Sequence, residues 1–330
     1  MNNTKMKYKS TMMKIGVILL IFLGFLTAFM SVYLMLPTDL LPEPAATIID
    51  SVLYDAAYLL AFMLPVFFVR LVFKPEERQP MRLEPKISAN VFAFICIGVA
   101  LTYAFSYINT IAVDLIFGIP VTDDIINYAP AKMSDGEIIL QFITIALVPA
   151  FCEEFLFRGF VLSTLMPYGK STAIVVSSIC FGLMHGNFYQ FLYTTVAGLI
   201  LGAVYVITDS IWPSTIIHMI NNALSLFQTV MYDSMAEEYA YLFWIAIECL
   251  ILALGIISFF IIIRRYKSAQ YQKEPVFGKV LASKLDGEDA GFWGHAELDA
   301  KDVVKAFFVP TVIAFVAYTL LEALAALAVV

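Results

Sequence analysis

Long apolar segments separated by short polar turns run along almost the whole chain. A membrane-spanning helix needs about 20 mostly apolar residues, and nine segments come close to that length or exceed it. We predict spans at residues 15–36, 56–73, 91–117, 137–165, 171–187, 191–208, 211–230, 239–263 and 303–330. The last segment has a second interpretation, as a helix lying along the membrane surface. The pattern predicts an all-α fold, a polytopic bundle of eight or nine transmembrane helices.

The same pattern divides the chain into five parts. Residues 1–136 hold three N-terminal spans, and residues 137–230 hold a core of four spans. Residues 231–266 hold an eighth span. Residues 267–302 are polar and carry both charge signs, which predicts a cytoplasmic linker rather than a folded domain, and residues 303–330 supply the additional C-terminal span.

Composition supports the membrane interpretation. The chain is 61% hydrophobic and 14% charged, whereas soluble proteins average about 45–50% apolar and about 25% charged residues. This excludes an ordinary soluble enzyme, a disordered protein and a secreted disulfide scaffold. A net charge of −7 argues against nucleic-acid binding, which favours a basic surface. The four cysteines lie in apolar runs without zinc-site spacing, so we interpret them as small apolar residues.

The distribution of lysine and arginine predicts the orientation in the membrane, because cytoplasmic loops are enriched in both. One of these residues, Arg158, lies inside a span. With a cytoplasmic N-terminus and alternating spans, eighteen of the other nineteen fall on the cytoplasmic side, and only Lys132 falls outside. We therefore expect an integral protein of the plasma membrane with its N-terminus in the cytoplasm.

Ionisable and amide side chains inside the spans are the candidates for function, since burying them in lipid is costly. They form three groups. Glu153 and Glu154 precede Arg158 in the fourth span, His185 ends the sequence Phe181-Gly182-Leu183-Met184-His185, and His218 is followed by Asn222. Residues four apart share a helix face, so Glu154 can pair with Arg158, which leaves Glu153 pointing about 100° away.

The depths of these side chains predict that they meet. Glu153 lies fourteen residues before Pro167, and His185 lies fourteen residues after Ser171. Both are therefore about 21 Å from the turn between the two helices, at about 1.5 Å per residue. His218 and Asn222 lie about 10 and 16 Å in from the same side. We expect one buried polar site that opens to the cytoplasm.

The series EExxxR, FxxxH and HxxxN on consecutive membrane helices resembles the CAAX protease and bacteriocin-processing family, also called the Abi family. The resemblance covers roughly residues 137–230. The matching residues are Glu153, Glu154, Arg158, Phe181, His185, His218 and Asn222. The resemblance implies an eight-helix intramembrane endopeptidase with a glutamate-activated water molecule. The ninth span and the linker depart from that pattern.

Peptide hydrolysis needs a base, a polarised water molecule and donors for the oxyanion, and these residues can supply all three. We assign Glu153 as general base, with His185 holding the same water and carrying its proton. His218 and Asn222 are candidate oxyanion donors. Glu154 and Arg158 would hold the helix and tune Glu153, or bind substrate carbonyls, with Phe181 as a supporting residue.

Each assignment has a structural alternative. Glu154 and Arg158 can form an ion pair whose only role is to cancel two buried charges. Asn222 can be a polar contact between helices, and His185 can be an interior histidine whose hydrogen bonds are all made within the protein. We expect no cofactor, but a divalent metal ion bound by Glu153, His185 and His218 is an open alternative. The chain has no HExxH, GxSG or GxGD sequence, which argues against zinc, rhomboid-type and presenilin-type proteases.

The predicted function is therefore cleavage of a peptide or protein substrate within the lipid bilayer, with no nucleic-acid partner. The chain does not identify the substrate, since prenylated tails, peptide pheromones and bacteriocin leaders all fit. The alternative function keeps the fold without catalysis. Such a protein would be a membrane partner of a sensor kinase or an immunity protein against a peptide toxin.

Overall fold

The computed structural model describes residues 3–37, 40, 42, 45–117, 133–266 and 300–329. We number its helices in chain order. They are α1 (Asn3–Leu34), α2 (Ala45–Val72), α3 (Ala89–Phe117), α4 (Asp135–Tyr168), α5 (Lys170–Met184), α6 (Phe188–Thr208), α7 (Ile211–Ser234), α8 (Glu237–Tyr266), α9 (Ala300–Ala306) and α10 (Pro310–Val329). No strand occurs in these residues, and the all-α prediction is confirmed. Most of the predicted linker lies outside the described residues.

Six of the described helices are long and apolar enough to cross a membrane, namely α1, α2, α3, α4, α6 and α8. The pair α9 and α10 would make a seventh. The α5 helix has only 15 residues, and α7 carries the polar residues His218, Asn221 and Asn222, so neither meets the same test. The chain is a polytopic membrane protein, and the predicted eight or nine spans are an approximate count.

The ninth predicted span, 303–330, is not one straight helix. It is broken between Ala306 and Pro310, and the two pieces are bent by 70°. Proline lacks a backbone N–H and favours the first turn of a helix, so the chain restarts at Pro310. The second piece packs along α1, where Thr311 Oγ1 donates to the carbonyl of Met13 at 2.8 Å.

The first helix is an interior element rather than a peripheral anchor. Its side chains Met12, Ile15, Ile18 and Phe22 are completely buried. They belong to the main hydrophobic core together with residues of α4 and α10, such as Phe157. An apolar side chain that faces lipid has the same composition as one that faces protein, so hydropathy alone does not separate the two positions.

The bundle has two ends, which matter for the site. At what we call the basic end, α1, α3 and α5 begin and α2 and α4 end, and Lys14 Nζ contacts Glu77 Oε2 at 2.6 Å in the loop after α2. At the opposite end, α1 finishes next to the start of α2, where the hydroxyl of Tyr33 donates to Asp50 Oδ2 at 2.8 Å. The α4 helix starts at this opposite end.

Two stretches of α4 have the wider turns of a π-helix. They cover Phe142–Leu147 and Phe155–Leu162, and the α-helical stretch Val148–Glu154 lies between them. Wider turns of this kind occur often at functional sites, because they change the direction of side chains and interrupt the regular backbone hydrogen bonds. The two glutamates of the first motif end the central stretch.

Close packing of α5 on α6 fixes the position of His185. A methyl group on Gly198 would lie 3.0 Å from the Cα of Ser178, so only glycine allows this approach. After α5 ends, Gly186 adopts a positive φ of 55°, and Asn187 begins α6 by accepting a hydrogen bond from the backbone of Tyr189 at 2.8 Å. His185 is therefore held at a tight turn inside the bundle.

Candidate active site

Glu153 is a buried carboxylate with one bound oxygen and one unbound oxygen. Its side chain lies on α4 and is 5% exposed. The hydroxyl of Tyr58 on α2 donates to Oε1 at 2.5 Å. The other oxygen, Oε2, has no hydrogen-bond partner among the described residues and lies 3.8 Å from His218 Nε2. Because buried polar atoms are nearly always bonded, an unbound carboxylate oxygen at this depth is suited to act on a bound molecule.

The neighbouring Glu154 has one oxygen occupied by protein groups, while its Oε2 is buried with no hydrogen-bond partner among the described residues. Its Oε1 contacts Arg158 Nη1 at 2.8 Å and His218 Nδ1 at 3.2 Å. Arg158 is itself buried, and its guanidinium lies over the ring of Phe181 at 4.4 Å from the centroid. The predicted Glu154–Arg158 ion pair is therefore present. Besides cancelling the two opposite charges, its carboxylate also contacts His218.

His218 connects the two glutamates. Its Nδ1 faces Glu154 and its Nε2 faces Glu153. An ionised carboxylate only accepts hydrogen bonds, so Nδ1 carries the proton in the contact with Glu154. Pairing at one ring nitrogen fixes the orientation of the other. The structure thus aims Nε2 at the unbound oxygen of Glu153.

His185 joins this cluster through Phe181. Its Nδ1 donates to the carbonyl of Phe181 at 2.9 Å, because that carbonyl can only accept. The Phe181 ring meets both imidazoles edge-on, with centroids 5.0 Å from His185 and 5.8 Å from His218. This arrangement leaves Nε2 of His185 as the nitrogen that can contact a ligand.

Asn222 lies one helical turn beyond His218 and contacts a different part of α4. Its side-chain amide donates to the carbonyl of Ile145 at 3.2 Å, within the first π-helical stretch. This contact between two membrane helices agrees with the alternative interpretation of Asn222 as a purely structural polar contact. The amide has a second N–H, and Ile145 lines the cavity described next.

A cavity of about 500 Å³ reaches Glu153. Its walls include Tyr33 at the end of α1, Asp50 near the start of α2, Gln141 on α4 and Gln190 at the start of α6. The lining residues of α4 all precede Glu153 in the chain, so the cavity lies between Glu153 and the opposite end of the bundle. The sequence predicts that the site opens to the cytoplasm, which would place the opening at the basic end, and the cavity does not confirm this. The positions of these residues in the chain predict how far they lie from the turn at Pro167. They do not predict on which side of Glu153 the helices leave a cavity.

The described residues contain no group of three or more His, Cys, Asp or Glu side chains arranged to hold a metal ion. Of the three ligands considered in the sequence, Glu153 and His218 lie 3.8 Å apart. His185 Nδ1 is bonded to backbone.

A comparison with protein families matches residues 135–224 to the family described as Rce1-like type II CAAX prenyl endopeptidase. The match spans about a quarter of the chain and contains all seven motif residues. This segment is therefore similar to the CAAX protease family. The resemblance found in the sequence is thereby confirmed, and the family supports a role as a membrane protease. Comparisons with curated proteins and with solved structures give no match.

Sequence reasoning missed the contribution of α2 to this candidate site. Tyr58 and Asp50 lie outside the matched segment, yet Tyr58 bonds Glu153 and both line the cavity. The available signal was the run of polar residues Asp50, Tyr54, Asp55 and Tyr58 in and just before an apolar span. Nothing in their spacing indicated which span they face.

Proposed function

We propose that the protein is an endopeptidase embedded in the membrane, in which Glu153 activates a water molecule. The main support is the contrast between the two glutamates. Each carboxylate has one oxygen with no hydrogen-bond partner among the described residues, but the other oxygen of Glu154 is paired with Arg158 and His218, whereas Glu153 borders a cavity. A membrane protease is the role that the family supports.

In the proposed reaction, a peptide bond lies in the cavity beside Glu153. Glu153 takes a proton from water as the oxygen attacks the carbonyl carbon, which forms a tetrahedral oxyanion. The C–N bond then breaks, and the proton passes from Glu153 to the leaving amine. One product gains the carboxylate and the other gains the amine, so atoms and protons balance.

The other site residues would position these groups. The Tyr58 hydroxyl holds Oε1 of Glu153, which keeps Oε2 toward the cavity. His218 and His185 each donate from Nδ1 within the protein. Their Nε2 atoms therefore accept a hydrogen bond from the water while the ring is neutral, and they donate to the oxyanion once the ring has gained a proton. Each such oxyanion donor typically contributes about 10²–10³ in rate. Asn222 would supply a further donor through its second N–H.

The competing function is a non-catalytic membrane partner of a sensor kinase or an immunity protein. The cavity at Glu153 supports catalysis over that alternative, because a scaffold needs no unbound carboxylate at the end of a polar cavity. We also propose that the N-terminus is cytoplasmic, on the distribution of lysine and arginine, and that the membrane is the plasma membrane.

Peptide release tests the proposal. Purified full-length protein should generate new termini from a peptide library, detected by mass spectrometry. The Glu153→Ala variant should generate none, while Glu248→Gln should retain activity. Glu248 on α8 is a matched control because it is also a carboxylate within a membrane helix that accepts hydrogen bonds from tyrosines, here Tyr103 and Tyr107 on α3. It does not line the cavity at Glu153. Cleavage by Glu153→Ala at the wild-type rate would contradict the mechanism.

We propose further that the reaction needs no cofactor. Chelators should leave activity unchanged, and elemental analysis should find no metal at one ion per chain. If a metal ion is instead bound by Glu153, His185 and His218, it should copurify, and His218→Ala should remove metal and activity together.

A further inference from the structure

The wall of the Glu153 cavity is polar. Of the eleven described residues that line it, nine carry a hydroxyl, amide or carboxylate group, and the exceptions are Ile145 and Pro149. Apolar ligands gain free energy mainly from the apolar area that they bury, about 25 cal/mol per Å². A wall of this composition therefore suits a polar chain better than a long hydrocarbon.

The cavity also carries negative charge. Glu153 lies at its inner end, and Asp50 lies about 12 Å further along α2 from Tyr58, which bonds Glu153. Behind the wall, Asp55 Oδ2 accepts a hydrogen bond from Thr144 at 3.1 Å, while its Oδ1 is buried with no partner among the described residues. No lysine or arginine occurs among the described lining residues.

These charges favour one kind of substrate. An isoprenoid-modified tail that ends in a free carboxylate would bring hydrocarbon against hydroxyl groups and a negative charge against Asp50 and Glu153. Like charges at close range in a partly buried site repel. A segment with lysine, arginine or an amino terminus would be attracted by the same side chains.

The location of the wall indicates where such a segment enters. Tyr33 is one residue from the end of α1, and Asp50 is five residues into α2. Both are at the opposite end of the bundle from the loop after α2 that holds Arg78 and Arg82. A chain reaching Glu153 from that end passes Asp50 before it passes Glu153.

We infer that the substrate segment in this cavity is a polar, cationic peptide, which enters from the opposite end of the bundle past Asp50 and places its scissile bond at Glu153. This inference rests on the proposed function for the cleavage step, but the binding preference does not depend on cleavage. It specifies the substrate class that the protease accepts at this cavity.

Binding by the purified full-length protein tests the inference. The probes are synthetic peptides that differ only in lysine, norleucine or glutamate at one position, scanned along the peptide, and a farnesylated peptide with a free carboxylate. At one position, lysine should bind at least about tenfold more tightly than glutamate at low salt, as expected for a hydrogen-bonded charge pair. The preference should shrink at high salt, since salt screens exposed charges.

Two aspartate variants locate the effect. Asp50→Asn should remove most of the lysine preference without weakening the norleucine peptide. Asp233→Asn is the matched control, because Asp233 is a half-buried aspartate near the end of α7 that does not line the cavity. It should keep the full preference.

The outcomes separate this inference from the proposed function. Equal binding of lysine and glutamate peptides, or tighter binding of the farnesylated peptide that is insensitive to Asp50→Asn, would overturn the inference even if peptides are cleaved. Binding with the expected preference and no cleavage of any peptide would overturn the proposed function and support the inference.

Discussion

Glu153 and Glu154 are adjacent in the chain, yet their carboxylates have opposite surroundings. Glu154 shares one oxygen between Arg158 and His218, while Glu153 is held by Tyr58 and faces a cavity. Helical geometry predicted this division from the sequence, because only Glu154 is four residues from Arg158. The contact with Tyr58 joins residues 95 apart in the chain, and no local pattern predicts it.

Loss of the Glu154 carboxylate should reduce stability. The Glu154→Gln substitution leaves the buried Arg158 guanidinium without its ionic partner, which typically costs about 3–5 kcal/mol. The thermal unfolding midpoint in detergent should fall clearly. The double variant Glu154→Gln, Arg158→Met should recover part of the loss, since it removes the uncompensated charge. A Glu154→Gln midpoint equal to that of the wild type would show that the pair is not structural.

Removal of the Tyr58 hydroxyl should slow turnover without weakening substrate binding. In Tyr58→Phe, Glu153 loses a hydrogen bond to a charged group, a contact worth about 1.5–3 kcal/mol. We expect kcat to fall by about ten- to a hundredfold with little change in KM. Tyr205→Phe controls for the loss of a buried hydroxyl, because Tyr205 bonds Ser163 at 2.5 Å away from Glu153. A normal kcat for Tyr58→Phe would remove Tyr58 from the mechanism.

At the scale of helices, the order of the elements could be predicted and their irregularities could not. Apolar length predicted nine helical segments, and equal distances from the turn at Pro167 predicted that Glu153 and His185 lie near one another. Both residues now belong to a cluster around Phe181 and His218. The π-helical turns of α4 and the burial of α1 depend on contacts with other helices, which a local pattern does not contain.

The ion pair between α1 and the loop after α2 should make stability depend on pH. The hydrogen bond from Lys14 lowers the pKa of Glu77 below its ordinary value of 4.5. A lowered carboxylate pKa contributes stability above the unfolded value, and the contribution is lost as pH falls through the folded value. Glu77 is partly exposed, so we expect only about 0.2–1 kcal/mol.

Unfolding midpoints of the wild type and Glu77→Gln measure this effect. The wild type should be more stable at pH 7, and the difference between the two proteins should close as pH falls below about 4.5. Glu76→Gln, a change at the neighbouring exposed glutamate, should show no such difference. A gap that stays constant through this pH range would mean that the ion pair does not stabilise α1.

For the whole molecule, the side on which the cavity opens depends on the orientation in the membrane. Charge distribution predicts that the basic end is cytoplasmic, so the cavity would face the outside of the cell. In a cysteine-free background, Leu36→Cys at the end of α1 should react with an impermeant thiol reagent added to intact cells, while Gln79→Cys should react only after permeabilisation. The reverse labelling would invert the orientation and give the cavity a cytoplasmic opening.

The central claim is that Glu153 activates water without being needed for the fold or for substrate binding. The most direct test is the turnover number of Glu153→Gln on a cleaved peptide, with peptide affinity and unfolding midpoint measured on the same sample. We predict a kcat at least about 10²-fold below that of the wild type, with little change in the unfolding midpoint or in the affinity for a peptide that is uncharged beside the scissile bond. A kcat within about threefold of the wild-type value, a difference of less than about 1 kcal/mol in the barrier, would contradict the account.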